Sequence, residues 1–234
     1  MNFSHIILDS TTVANQLLSA AATSEEVKID LFDLVLKGGW IMIPIALLSV
    51  IAIFIYIERF FIIRKAGKED KSFMDRIRNY IHNEKIESAL DLCKTTNTPY
   101  SRMIEKGITR LGRPMADVLV AIENVGNMEI SKLEKGLPAV ATAAAAAPML
   151  GFLGTVTGMV TAFFDMSNAG SALDISILSK GIYEALVTTV AGLIVGIIAL
   201  FIYNHLVSMV DSVVHKMEAK TMDFMDLLNE PFIK

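Results

Sequence analysis

The sequence predicts an all-α membrane protein with three transmembrane helices, the second and third extended into a cytoplasmic helical bundle. Three observations carry this. Long apolar stretches recur three times in the chain, and mean hydropathy is +0.51 although charged residues make up 20%. The apolar excess is aliphatic rather than aromatic, 53% hydrophobic against 8% aromatic over 234 residues, which is more than a soluble core requires. A soluble metabolic enzyme is thereby excluded. The formal net charge of −4 leaves no basic field to hold nucleic acid. The lone cysteine, Cys93, excludes an internal disulfide framework and a Cys-based zinc site, and reads as a small half-buried hydrophobe.

Residues 1–27 have no basic leader, and Asp9, Ser10, Thr11 and Asn15 interrupt their apolar stretch. They read as an extracytoplasmic tail rather than a signal peptide. Residues 28–39 read as an amphipathic helix in the outer interface, ended by Gly38-Gly39. The first span, 40–63, is long enough to cross about 30 Å of hydrocarbon. Trp40 anchors one end and Tyr56 with Arg59 and Arg64 the other, Pro44 falls in the first turn, and Glu58 and Arg59 are expected to snorkel to the interface.

Residues 64–136 form a cytoplasmic helical domain, with breaks at Pro99 and at Gly112-Arg113-Pro114. From Met115 onward an apolar face persists without a strong breaker. The second span, 137–166, is therefore predicted to be the upper part of one helix beginning near Met115. A periplasmic loop at 167–179 leads to the third span, 180–209, and residues 210–234 carry that helix into the cytoplasm. The basic cluster Arg64, Lys65, Lys68 and Lys71 places the long loop inside, the N-terminus outside and the C-terminus inside.

The first span is nearly all bulky aliphatics, as lipid contact allows. The second is built from Ala, Gly and Thr, and the outer half of the third is also small, so these two are expected to line a close helix–helix or subunit interface. Gly151, Gly154, Gly158 and Gly192 are the packing positions, and Ala143–Ala147, Val156, Met159, Val190 and Leu193 are the expected apolar lining of a pore.

No catalytic motif stands out. His5, His82, His205 and His215 lack metal-ligand spacing, and GFLGTVTG lacks the lysine of a phosphate loop, so neither enzyme activity nor a cofactor is predicted. What stands out is polar chemistry inside apolar helices. Glu184 in the third span costs about 3 kcal/mol to place in a bilayer centre, less near an interface, so it is a functional candidate. The other reading is that it complements its own helix N-terminus. Thr155 lies about 16 Å from the outer end of the second span and Thr189 about 13 Å from that of the third. Hydroxyls at matching depth can relay a proton or coordinate a cation, although a threonine in a helix is more often satisfied by its own carbonyls. Thr188 adds a neighbouring hydroxyl.

LFDLVLKGGWIMIPI, APMLGFLGTVTGMVTAF and GIYEALVTTVAGLIVG resemble the corresponding stretches of the MotA/TolQ/ExbB family of ion-driven stator proteins, most closely its ExbB branch. The likeness covers most of residues 31–210. The resemblance implies a pore-forming homo-oligomer, a pentamer, in the bacterial inner membrane, with the second and third helices around the pore. It implies a dimer of single-span ExbD-type partners inside that pore, each with an acidic residue, and a TonB-like protein that transmits work to outer-membrane transport. Thr155 and Thr189 then match the family's pore threonines and Glu184 its third-span glutamate. Proton-type relatives commonly carry a small apolar residue at the position of Thr188. A hydroxyl there makes a Na+ site near Thr155, Thr188 and Thr189 compatible with the sequence, since a hard cation needs several oxygens. A sodium-driven, TolQ-type or gliding-type stator, or a non-conducting scaffold, are the alternatives.

Overall fold

The computed structural model describes residues 39–68, 70, 72–168 and 175–230. The tail at 1–27, nearly all of the interfacial helix expected at 28–39, and the centre of the loop expected at 167–179 lie outside the described residues. Those described are helical, with no strand: α1 (Met42–Ala66), α2 (Phe73–His82), α3 (Ile86–Thr96), α4 (Pro99–Ile108), α5 (Met115–Glu134), α6 (Leu137–Asn168) and α7 (Ile175–Asn229). Three stretches are long and apolar enough to cross a membrane: α1, the α5–α6 segment, and α7. Much of their apolar surface is exposed, Phe54, Phe61, Phe152 and Phe201 included, which water would not tolerate and lipid does.

α7 is one continuous 55-residue helix that starts at Ile175 rather than Lys180. Its C-terminal half serves as the post of the soluble domain. Phe224 and Met217 from α7 are buried with Phe73 and Ile77 of α2, Ile104 and Ile108 of α4, and Ile122 of α5. Each small helix presents one apolar stripe, and the turns between them are set locally. Thr98 caps α4 in a reciprocal box with Ser101, and Pro99 occupies the first turn, where its missing N–H leaves no bond unmade.

The second long helix is not continuous. It breaks at Lys135-Gly136, where Lys135 is extended (ψ 124°) and Gly136 has φ +91°, a conformation that suits glycine. Pro138 explains the position: it has no N–H for the Glu134 carbonyl, and its ring would collide with that carbonyl in a continuous helix. α6 restarts with the Ala139 and Val140 N–H groups donating to the Gly136 carbonyl at 3.1 and 3.3 Å.

Arg59 differs from expectation for the same reason. It does not reach for the interface but is 8% exposed, packed beside Gly136. Its Nη1 donates to the Lys132 carbonyl at 3.2 Å, one of the end carbonyls that α5 leaves without an intrahelical partner, and its Nη2 donates to Glu58 at 3.1 Å. A guanidinium on α1 thus closes the break between α5 and α6. Glu58 remains exposed.

Two consequences are measurable. Cys93 is fully buried, and burial first, with the nearby Glu105 charge second, pushes its thiol up to about 12. The folded protein is expected to resist maleimide labelling at pH 8 and to react stoichiometrically once denatured; prompt labelling of the native form would contradict this core.

Glu129 is 4% exposed on α5 and accepts from Arg102 and, at 2.7 Å, from Lys132. Burial alone would raise its pKa, but these bonds outweigh it and hold the carboxyl below the ordinary 4.5. Its stabilising contribution is therefore present above pH 4.5 and lost as pH falls through the lowered value. Glu129→Gln should melt lower than the unsubstituted protein at pH 7, and that gap should shrink as the pH is taken below 4.5.

Candidate functional site

The polar residues of the spans are positioned by the seam between α6 and α7. On α6 the seam residues are Ala147, Gly151, Gly154, Gly158 and Ala162; on antiparallel α7 they are Gly181, Ala185, Thr188, Gly192 and Gly196. A Cβ on Gly192 would lie 2.5 Å from the Ala147 carbonyl oxygen and 2.9 Å from the Gly151 Cα, so the two backbones are in direct contact. A Cβ on Gly151 would lie 2.9 Å from the Thr188 carbonyl oxygen, one on Gly158 3.0 Å from the Ala185 Cβ, and one on Gly154 would overlap the Thr188 side chain. The four glycines singled out from sequence all sit in this seam, together with Gly181 and Gly196.

Such proximity puts side-chain hydroxyls within reach of the other helix's carbonyls. Thr189 Oγ1 donates across the seam to the Gly151 carbonyl at 3.0 Å. Thr188 is 3% exposed; its Oγ1 donates to Ala185 at 2.7 Å and lies 3.5 Å from that same Gly151 carbonyl. Thr155, one turn along α6 from Gly151, donates to Phe152 at 2.6 Å. All three hydroxyl protons are thus engaged, and what each side chain still offers is acceptor lone pairs.

The residues fall on two edges of the seam. With 3.6 residues per turn, Thr155 and Met159 of α6 and Thr189 and Leu193 of α7 share one edge, where Phe152, Val156 and Val190 are exposed as well. The other edge is covered by α1, whose Ile41, Met42 and Ile45 pack with Leu150, Ala191 and Val195. Glu184 lies on this covered side. It lines a cleft of about 570 Å³ with Trp40, Thr157, Thr161, Asp165, Lys180 and Thr188, whereas Thr155 and Thr189 do not. The structure therefore brings Thr155 and Thr189 together on one edge, places Glu184 on the other, and leaves Thr188 between them.

Two readings change. Ala143 and Ala147 do not line an open face; both are fully buried, Ala143 against Ala52 and Ala199. Glu184 stands more than two turns inside α7, beyond the first turn where a helix N-terminus favours an acid, so the dipole does not account for it. Sequence reasoning missed Thr157, Thr161, Asp165 and Lys180. Their signal was there: Thr157, Thr161 and Asp165 on α6, and Lys180, Glu184 and Thr188 on α7, each repeat at i, i+4, i+8 and so form two polar ladders. Among the described residues, no group of three or more His, Cys, Asp or Glu side chains could hold a metal ion.

Residues 95–219 match the MotA/TolQ/ExbB proton channel family. An ExbB-like 1 biopolymer transport protein of Synechocystis is 32% identical over 183 residues, 76% of this chain and 71% of the relative. An ExbB homolog of Methanothermobacter thermautotrophicus is 28% identical, covering 81% and 69%. The Tol-Pal system protein TolQ of Haemophilus influenzae is 29% identical, covering 76% and 85%.

Enlarging Gly192 tests the seam. Gly192→Val must separate α6 from α7 and should cost about 2 kcal/mol or more, read as a lower melting temperature in detergent. Phe54→Leu on the exposed side of α1 should leave it nearly unchanged. Equal melting of both variants would contradict the backbone contact.

Proposed function

Because the chain belongs to the MotA/TolQ/ExbB proton channel family, we propose that it is the ion-conducting stator subunit of a bacterial inner-membrane complex. It works with an ExbD-type single-span dimer and uses the proton motive force to energise TonB-dependent outer-membrane transport. The N-terminus is periplasmic and the C-terminus cytoplasmic, in keeping with the basic cluster after α1. Five copies surround the pore, and the edge carrying Thr155 and Thr189 faces it. The observation that carries this reading is the seam: two hydroxyls on one edge, one from each helix, donating to the consecutive α6 carbonyls of Phe152 and Gly151.

A scaffold has no need of hydroxyls at these positions. In the pore, the lone pairs of Thr155 and Thr189 accept from a protonated partner carboxyl or from hydronium, and the surrounding Phe152, Val156, Met159 and Leu193 exclude bulk water. Proton release to the carboxyl, and its loss on the other side, changes the partner's charge and hence its preferred position in the pore. A sodium-driven form is the second reading, favoured by the convergence of Thr188 and Thr189 on the Gly151 carbonyl, which places three oxygens near one point.

The test is ion flux in liposomes containing the complex with its partner, interior pH and sodium being followed separately. Thr155→Val and Thr189→Val should each leave assembly intact and abolish flux; normal flux in both single variants would overturn the assignment. Proton flux that survives Thr188→Ala favours the proton form, and sodium flux lost in Thr188→Ala favours the other.

A further inference from the structure

We propose that the groove between α5 and the C-terminal half of α7 docks a basic amphipathic helix, contributed by the cytoplasmic flank of the single-span partner. This rests on the ion-conducting reading above, in which that partner occupies the pore and the soluble domain is cytoplasmic.

The groove has a volume of about 630 Å³. Met103 of α4 and Met217 of α7, both buried, form its floor. Its walls are Leu119 and Ile130 from α5, and Val214, Met222 and Met225 from α7. Met222 is 67% exposed although it lies beyond the apolar stretch of α7, where lipid does not cover it. Unbranched thioethers repack around irregular apolar shapes, which suits the face of a helix laid into a groove. Residues 119–130 of α5 and 214–226 of α7 rise about 16 and 18 Å along their axes, which matches about three turns of such a helix.

The rim selects the charge of the occupant. Glu123 on α5 and Glu218 and Asp226 on α7 line the groove, and no lysine, arginine or histidine does so among the described residues. The basic groups of the same two stretches are engaged. Lys216 donates to the Gly67 carbonyl at 3.0 Å, Lys220 lies 3.5 Å from Asp223, and His215 lies 3.4 Å from Glu218. Glu129 is buried and paired with Arg102 and Lys132. Without it, Glu123, Glu218, Asp223 and Asp226 still outnumber the lysines, even when Lys234, which follows α7 and lies outside the described residues, is counted with them.

Position selects the source. Thr189, Val207 and Met225 follow one another at 18-residue intervals, five turns of about 3.6 residues, so the groove opens on the side of α7 that carries the Thr155–Thr189 edge. A chain leaving the pore along that edge enters the groove without crossing a helix. The cytoplasmic flank of a membrane span is rich in Lys and Arg, the complement of this rim. A second copy presenting the same face would instead set these carboxylates against one another.

The test is photo-crosslinking in the intact complex with its partner. Met222→Cys is labelled with benzophenone maleimide, irradiated, and its adducts identified by mass spectrometry; Cys93 does not interfere, being buried with its ionisation suppressed. Glu87→Cys, exposed on α3 away from the groove, is the control. Met222→Cys should yield an adduct with partner residues on the cytoplasmic side of their span, and Glu87→Cys should not. Adding Glu123→Lys and Glu218→Lys should lower that yield by about tenfold, because like charges then meet across the groove. Asp226→Cys, at the end of the same groove, gives the same readout where Met222→Cys fails to assemble. Adducts confined to a second copy of this chain, no adduct from either groove position, or a yield indifferent to charge reversal would each overturn the docking. Flux measured in the same preparations separates the two readings: loss in Thr189→Val leaves the conducting reading standing if docking fails, and flux that persists in both Thr155→Val and Thr189→Val overturns the conducting reading whatever the adducts are.

Discussion

Backbone contact between α6 and α7 is the constraint on which the rest depends. A helix pair held apart by ordinary side chains shields its carbonyls within each helix. Here Gly151 and Gly192 touch, and the Gly151 carbonyl becomes accessible to hydroxyls from the neighbouring helix. In hydrocarbon there is no hydrophobic drive between apolar helices, so such an approach is stabilised by packing and by the polar bonds it permits. The same residues that allow the contact therefore place Thr188 and Thr189.

The seam also sorts the polar residues. Because α1 covers only one edge, the two polar ladders, Glu184 among them, face a polar cleft while Thr155 and Thr189 stay with exposed aliphatics. One carbonyl lies between the two environments. An acid and a hydroxyl five residues apart on one helix thus serve different sides of it, and Thr188, buried at the centre, touches both.

The soluble domain is tied to the membrane part by two devices of different kind. α7 passes from one to the other as a single rod, and α5–α6 does so with a break that needs an outside partner. Arg59 supplies it by donating to the Lys132 carbonyl, and Lys216 of α7 does the corresponding service for α1 by donating to the Gly67 carbonyl at 3.0 Å. Helix ends at this boundary are therefore satisfied by cations from neighbouring helices. This couples the three rods where the apolar stretches give way to the soluble domain.

The sequence by itself determined the class: three apolar stretches of sufficient length, small residues in two of them, and a helical soluble part. These follow from composition and periodicity, which are local properties. It also marked Thr155, Thr189, Glu184 and four of the seam glycines, Gly151, Gly154, Gly158 and Gly192, since polar or small residues in an aliphatic span are visible without coordinates. Tertiary structure decided the rest. That Pro138 ends a helix through the carbonyl of Glu134 was readable in principle, but that Arg59 turns inward depends on the orphan carbonyl the break creates. That Glu184 and Thr189 part company depends on which edge α1 covers, and no spacing along one helix records the position of another. The joint use of Gly151 by Thr188 and Thr189 exists only because two backbones meet there, a distance set by packing between helices rather than by either sequence segment alone.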